Sequence, residues 1–209
     1  MALTLAAALA LAAQCAPAVA PQTLLSVVQV ESRFEPLAIA VNGAPRLLVE
    51  PTSVDDAVAK AAALIKAGRN IDLGLAQINS KNLSWLGLSL ADVFEPCTNL
   101  RAAARILQEG YGRSDAARVG EQAALKTALS YYNTGHPARG FTNGYVGKVV
   151  SAAERIVPAI GGASLANLAE ASPSAAPELS PSWDVFGEVH GGRSSFVTTV
   201  STTAPGGPQ

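Results

Sequence analysis

Apolar residues at three- and four-residue spacing recur along most of this chain, and that period limits it, more than any other feature, to a helical architecture. In "EQAALKTALSYYNTG" Leu125, Ala128, Leu129 and Tyr132 share one stripe, and Gly135 supplies the stop. "TSVDDAVAKAAALIKAG" repeats the pattern with Val58, Ala61, Ala62 and Ile65, bounded by Ser53 and Asp56 in capping-box spacing and by Gly68. Leu100, Ala104, Leu107 and Tyr111 predict another helix in "TNLRAAARILQEGY", with Thr98 as its N-cap, and a last one is expected from Tyr145 to about Ile156. Against this background "LAIAVNGAPRLLVE" sets Asn42-Gly43 between two apolar runs and reads as a β-hairpin. The stretch "NIDLGLAQINSKNLSWLGLSLADVF" holds no sustained period and reads as loops and single turns. The expected fold class is mainly α, a helical domain of an α+β type with a small hairpin insertion.

One residue breaks the helical pattern. In "VVQVESRFEP" helical steps back from Glu31 reach Val28, Val27 and Leu24, so a carboxylate shares a face with an apolar stripe and is expected to be half buried. Pro36 disfavours helical geometry at Glu35, so a helix from Pro21 should end a few residues after Glu31. The negative pole of that helix opposes a carboxylate there, which makes the position a poor one for stability and a common one for catalysis.

With 49 % hydrophobic and 15 % charged residues among 209, the chain can build one core and still carry a tail. A formal net charge of -1 with no basic block points away from nucleic acid as a ligand. His136 and His190 stand apart, and Cys15 and Cys97 form no C-x-x-C, so neither a metal site nor a cofactor is expected. "MALTLAAALALAAQCAPAVA" is apolar and ends in A-x-A-like residues, but it lacks a positive start, and Pro21 follows Ala18-Val19-Ala20. It is read as the first helix of the domain, too short to span a membrane stably. From Gly161 the chain turns Gly/Ser/Ala/Pro-rich, which divides it into a domain over 1–160 and a flexible tail over 161–209. Within that tail "WDVFG", 183–187, is an aromatic island that reads either as a docking motif or as noise in a linker.

Four fragments carry chemistry: Glu31-Ser32, the loop "GLAQIN" with Gln77 and Asn79, "YYN" with Tyr132 and Asn133, and "NGY" ending at Tyr145. One acid, several amides and several tyrosines suit a cleft for an uncharged, hydroxyl-rich ligand, because amides both donate and accept while aromatic faces stack on sugar rings. Each residue alone also has a bland reading, as an ion-paired acid, a turn former or a core tyrosine.

Together the fragments run E-S, G-L-x-Q-I-N, Y-N-T-G and N-G-Y-V-x-K-V. That order resembles the lytic transglycosylases of the goose-type lysozyme superfamily. "CAPAVAPQTLLSVVQVESRF", "DLGLAQINSKN", "PCTNL" and "YYNTGHPARGFTNGYVGKV" look more narrowly like the peptidoglycan-cleaving enzymes of bacterial type IV secretion systems. The resemblance covers about residues 10 to 160 and implies a lysozyme-like fold, a periplasmic location, peptidoglycan strands as substrate and secretion-system components as partners of the tail. It marks Glu31 as the sole catalytic acid, and Ser32, Gln77, Asn79, Tyr132, Asn133 and Tyr145 as substrate-binding. The chain departs from the pattern in the hairpin and helix that separate Glu31 from the second motif, and in Ala76, where many members carry Met. In the oxidising compartment so implied, Cys15 and Cys97 are candidates for a bridge, two buried thiols being the other reading. The implied mechanism makes an anhydro sugar without consuming water. A hydrolase using Asp72 as base, and a glycan-binding assembly component without activity, are the competing readings.

Overall fold

A computed structural model describes residues 1–43 and 47–168; the aromatic island at 183–187 and the rest of the chain beyond 168 lie outside the described residues. The first element, α1 (Leu5–Cys15), opens on Thr4, whose hydroxyl accepts from the Ala7 N–H, and the N-terminal apolar run is thus a helix of the domain. Next comes α2 (Pro21–Glu31), begun by a proline that has no N–H to leave unsatisfied. It stops at Glu31 itself, earlier than the sequence indicates, because Arg33 and Phe34 turn into the left-handed region at φ 55° and 66°. Leu24, Leu25, Val27 and Val28 are fully buried, so α2 is the central helix of the core.

The hairpin forms from β1 (Ile39–Val41) and β2 (Leu47–Val49), with Val41 opposite Leu47, so the connection runs over 42–46 rather than through Asn42-Gly43 alone. In α3 (Val54–Lys66) the Ser53 hydroxyl accepts from the Asp56 N–H, while the Asp56 carboxylate reaches one residue further back than a capping box requires, to the Thr52 N–H at 2.9 Å. The aperiodic stretch that follows is more ordered than its sequence signals. β3 (Ile71–Leu73) and β4 (Ile78–Asn79) extend the hairpin into a four-stranded antiparallel sheet of order β2-β1-β3-β4. After a single 3₁₀ turn at Ser80–Asn82 come the short helices α4 (Leu83–Leu86) and α5 (Leu90–Phe94).

The helix α6 (Pro96–Gly112) is capped by Glu95 and not by Thr98: its carboxylate accepts from the Cys97 and Thr98 N–H groups at 3.0 and 2.6 Å. Then α7 (Ala116–Val119), α8 (Glu121–Thr134, closed by a left-handed Gly135) and α9 (Arg139–Thr142) lead to α10. The last helix, α10 (Tyr145–Leu168), continues past Ile156 and through Pro158. Val149, Ala152, Ala153, Ile156 and Val157 are all buried on it, and the exposed Pro158 gives up one backbone bond without disturbing that face. α10 packs along α2, and α6 along α8. A disulfide joins Cys15 to Cys97, with Cα atoms 5.3 Å apart, and ties the end of α1 to the start of α6. Closing a loop across a separation of 82 residues contributes roughly 4 kcal/mol in the chain-entropy account.

Candidate active site

Strand alternation sets the first wall of the site. Ile71 and Leu73 are fully buried, so Asp72 between them faces the other side of β3. Its strand partner Asn79 faces the same way and donates Nδ2–H to Asp72 Oδ1 at 2.7 Å, while Asn79 Oδ1 accepts from the Lys81 N–H.

The turn between β3 and β4 is the "GLAQ" segment, and it is fastened from three sides. Gly74 sits at φ +74°, and a Cβ there would run into Asn99 Nδ2 and lie 2.9 Å from the Val93 carbonyl, so no other residue fits. Asn99, 1 % exposed, accepts from the Ala76 N–H at 2.8 Å and donates to the Leu73 and Val93 carbonyls at 3.1 and 2.7 Å. Tyr132 closes the other side by donating its hydroxyl to the Ala76 carbonyl at 2.7 Å. Gln77, at φ 52°, donates Nε2–H to the Ala38 and Gly74 carbonyls, so any contact of its amide with a ligand falls to Oε1.

Glu31 meets this loop across a cleft of about 800 Å³, lined also by Asp72, Gln77, Asn79, Tyr132 and Asn133. That volume suits several sugar-sized units. The carboxyl is half-buried at the end of α2, and the buried Tyr145, at the start of α10, donates its hydroxyl to Glu31 Oε1 at 2.6 Å. Burial first, then the charge of Glu31, pushes the Tyr145 hydroxyl well above the ordinary 10.0 of tyrosine, so it stays a donor. Tyr132 is raised for the same reasons, with Asp72 adding to the effect. Asn133 Oδ1 accepts from Asn143 Nδ2 at 2.8 Å, and Asn143 Oδ1 in turn accepts from the Tyr145 N–H, which links the "YYN" and "NGY" fragments.

Of the residues the sequence marked, Glu31, Gln77, Asn79, Tyr132 and Asn133 come together on the cleft. Tyr145 stands behind Glu31, and Ser32, whose hydroxyl lies 3.5 Å from the Val28 carbonyl, is not on the wall. Sequence reasoning passed over Asn99, a polar residue beside Leu100 in an apolar stripe, the same signal that exposed Glu31. It also passed over Trp85 and two arginines of the lining region: Arg105 lies 4.9 Å over the ring of Trp85, and Arg113 5.8 Å over that of Tyr131. Among the described residues no three His, Cys, Asp or Glu side chains gather as metal ligands would.

A helical body with a small sheet, and an acid at the end of its central helix facing an amide-lined cleft, define a glycan-cleaving protein of lysozyme-like architecture. Comparison with known proteins narrows this: the family described as Transglycosylase SLT domain matches residues 8–152. The chain is 39 % identical over 209 residues to the type IV secretion system protein virB1 of Brucella suis biovar 1, covering 94 % of this chain and 87 % of that one. It is 44 % identical over 147 residues to protein virB1 of Agrobacterium fabrum, covering 70 % and 59 %. No solved structure matches. The chain belongs to the transglycosylase SLT family and is a lytic transglycosylase acting on peptidoglycan.

Proposed function

We propose that Glu31 alone carries both proton transfers in cutting the β-1,4 bond between N-acetylmuramic acid and N-acetylglucosamine. The protonated carboxyl gives its proton to the glycosidic oxygen as the bond to C1 breaks, and the neighbouring N-acetyl carbonyl supports the electron-poor C1. The carboxylate then takes the proton of the muramoyl C6 hydroxyl while O6 bonds to C1. The end left on the muramoyl residue is a 1,6-anhydro ring, and water is neither consumed nor released.

The observation that carries this reading is the Tyr145 hydroxyl 2.6 Å from Glu31 Oε1, which holds the carboxyl at the edge of the cleft. Tyr145 holds Glu31 but is not among the residues that line the cleft, so its part is positioning. Asp72 lines the same cleft and supports a second reading, a hydrolase in which it activates water. Its bond from Asn79 gives it a role in the β3–β4 turn that needs no chemistry.

The test is digestion of purified peptidoglycan by wild type, Glu31→Gln and Asp72→Asn, with product masses and thermal midpoints recorded together. Glu31→Gln should lose about 10²- to 10⁴-fold or more of the cleavage rate with its midpoint held or raised, and Asp72→Asn should change the chemistry little. Substantial activity in folded Glu31→Gln would end the proposal. Products heavier by one water would move it to the hydrolase.

The setting we assign is the periplasm, where local opening of the wall lets a type IV secretion system assemble. The relatives named for that system support it. Contact with the machinery is assigned to the tail, through Trp183 and Phe186, an aromatic pair amid Gly, Ser, Ala and Pro. Ending the chain after Leu168 should leave cleavage and thermal midpoint unchanged and reduce secretion. Full secretion by the shortened protein would refute that assignment.

A further inference from the structure

The back of the catalytic helix holds a second cavity, a groove of about 630 Å³ along the seam between α2 and α10. Gln29, Val30 and Arg33 form one side, and the α10 stripe of Lys148, Ser151 and Arg155 forms the other. Gly144 and Gly147 keep the floor open: a Cβ at either would meet nothing within 4 Å. Arg33, Lys148 and Arg155 are exposed, and none of the three makes an ion pair among the described residues. The nearest acid in sequence, Glu154, does not line the groove. Three uncompensated cations converge here on a chain whose formal net charge is -1, so the charge is a local feature and not a reflection of a basic protein.

We propose that this groove binds the carboxylates of the peptide stems that peptidoglycan carries on its muramic residues, and thereby selects peptide-bearing strands. The proposal rests on the reading of Glu31 given above. The groove and cleft flank one structural joint. Asn133 lies on the cleft and accepts from Asn143, and Gly144, next in the chain, lies on the groove. Arg33 follows Glu31 by two residues, has a left-handed backbone, and lies exposed on the groove. An extended peptide advances about 3.5 Å per residue, so a stem of four or five residues attached to a sugar beside Glu31 has a reach of roughly 15 Å. Arginine and lysine are suited to receive its carboxylates, the one as a two-pronged donor and the other as a compact charge.

The experiment compares intact peptidoglycan with glycan strands stripped of peptides by an amidase, using the full chain and the double substitution Lys148→Gln with Arg155→Gln. Both residues are exposed, so the thermal midpoint should hold. On intact peptidoglycan the double variant should lose roughly tenfold in kcat/KM, the scale of two exposed charge contacts. On stripped strands it should match wild type, and the charge-keeping pair Lys148→Arg with Arg155→Lys should restore most of the loss. Equal rates for wild type and the double variant on both substrates, or an equal loss on both, would overturn the proposal. A wild type that cuts neither substrate would instead overturn the transglycosylase reading beneath it.

Discussion

The two walls of the cleft are built on opposite plans. On the wall formed by α2, β3, β4 and α8, polar side chains are spent on the protein itself: Gln77 on two carbonyls, Tyr132 on Ala76, Asp72 on Asn79, and Glu31 on Tyr145. On the wall formed by α4 and α6, Arg105 lies over the ring of Trp85, which is 43 % exposed. The first plan fixes positions to fractions of an ångström and tolerates little change. The second offers a flat ring and a mobile charge that adapt to whatever lies along the cleft. On the reading proposed above, reaction geometry is assigned to the first wall and grip on a long, uneven polymer to the second.

The sharpest way to break this comparison is Asn99→Ala. It strands the Ala76 N–H and two carbonyls beneath the β3–β4 turn, and stability should fall by roughly 2 to 4 kcal/mol, with cleavage lost in step. A variant with wild-type midpoint and rate would mean that the turn is not held from below.

Tyr145→Phe should be milder and should show in pH dependence. Because folding raises the pKa of this hydroxyl, the contribution to stability is complete below the ordinary 10.0 and is lost as pH climbs past it toward the folded value. Thermal midpoints followed from about pH 8 to 12 should therefore fall less steeply in Tyr145→Phe than in wild type. The rate at neutral pH should drop roughly tenfold, in kcat more than in KM, and the alkaline limb of the rate profile, where the general acid loses its proton, should move. An unchanged alkaline limb would show that the hydroxyl does not act through Glu31.

Trp85→Ala should be the smallest effect: KM for long strands raised roughly two- to tenfold, kcat kept, and stability within about 0.5 kcal/mol. A loss of kcat as large as that of Tyr145→Phe would erase the distinction between the walls.

Legibility in the sequence followed the same division. Glu31 was visible because a charge interrupts a counted stripe, and α3, α8 and the start of α10 because their stripes run for three turns or more. The strands β3 and β4 hold three and two residues, too few for any period to register, and their pairing depends on β1, some thirty residues earlier. Glu95 caps α6 through its side chain after a bend that only Pro96 announces. The far end of α10 was hidden by Pro158, since a proline reads as a stop unless the buried face that outweighs it is known. Trp85 and Arg105 lie on different elements, and nothing short of the fold brings them together.

The Cys15–Cys97 bridge has a topological meaning beyond its energy. It makes a closed ring of the segment that contains α2, the whole sheet and α3, and therefore Glu31, Asp72, Gln77 and Asn79. A protease that nicks any bond between the two cysteines produces two polypeptides that remain one molecule. Glu31 stays tethered to the turn it faces, and the molecule can be cut there without coming apart.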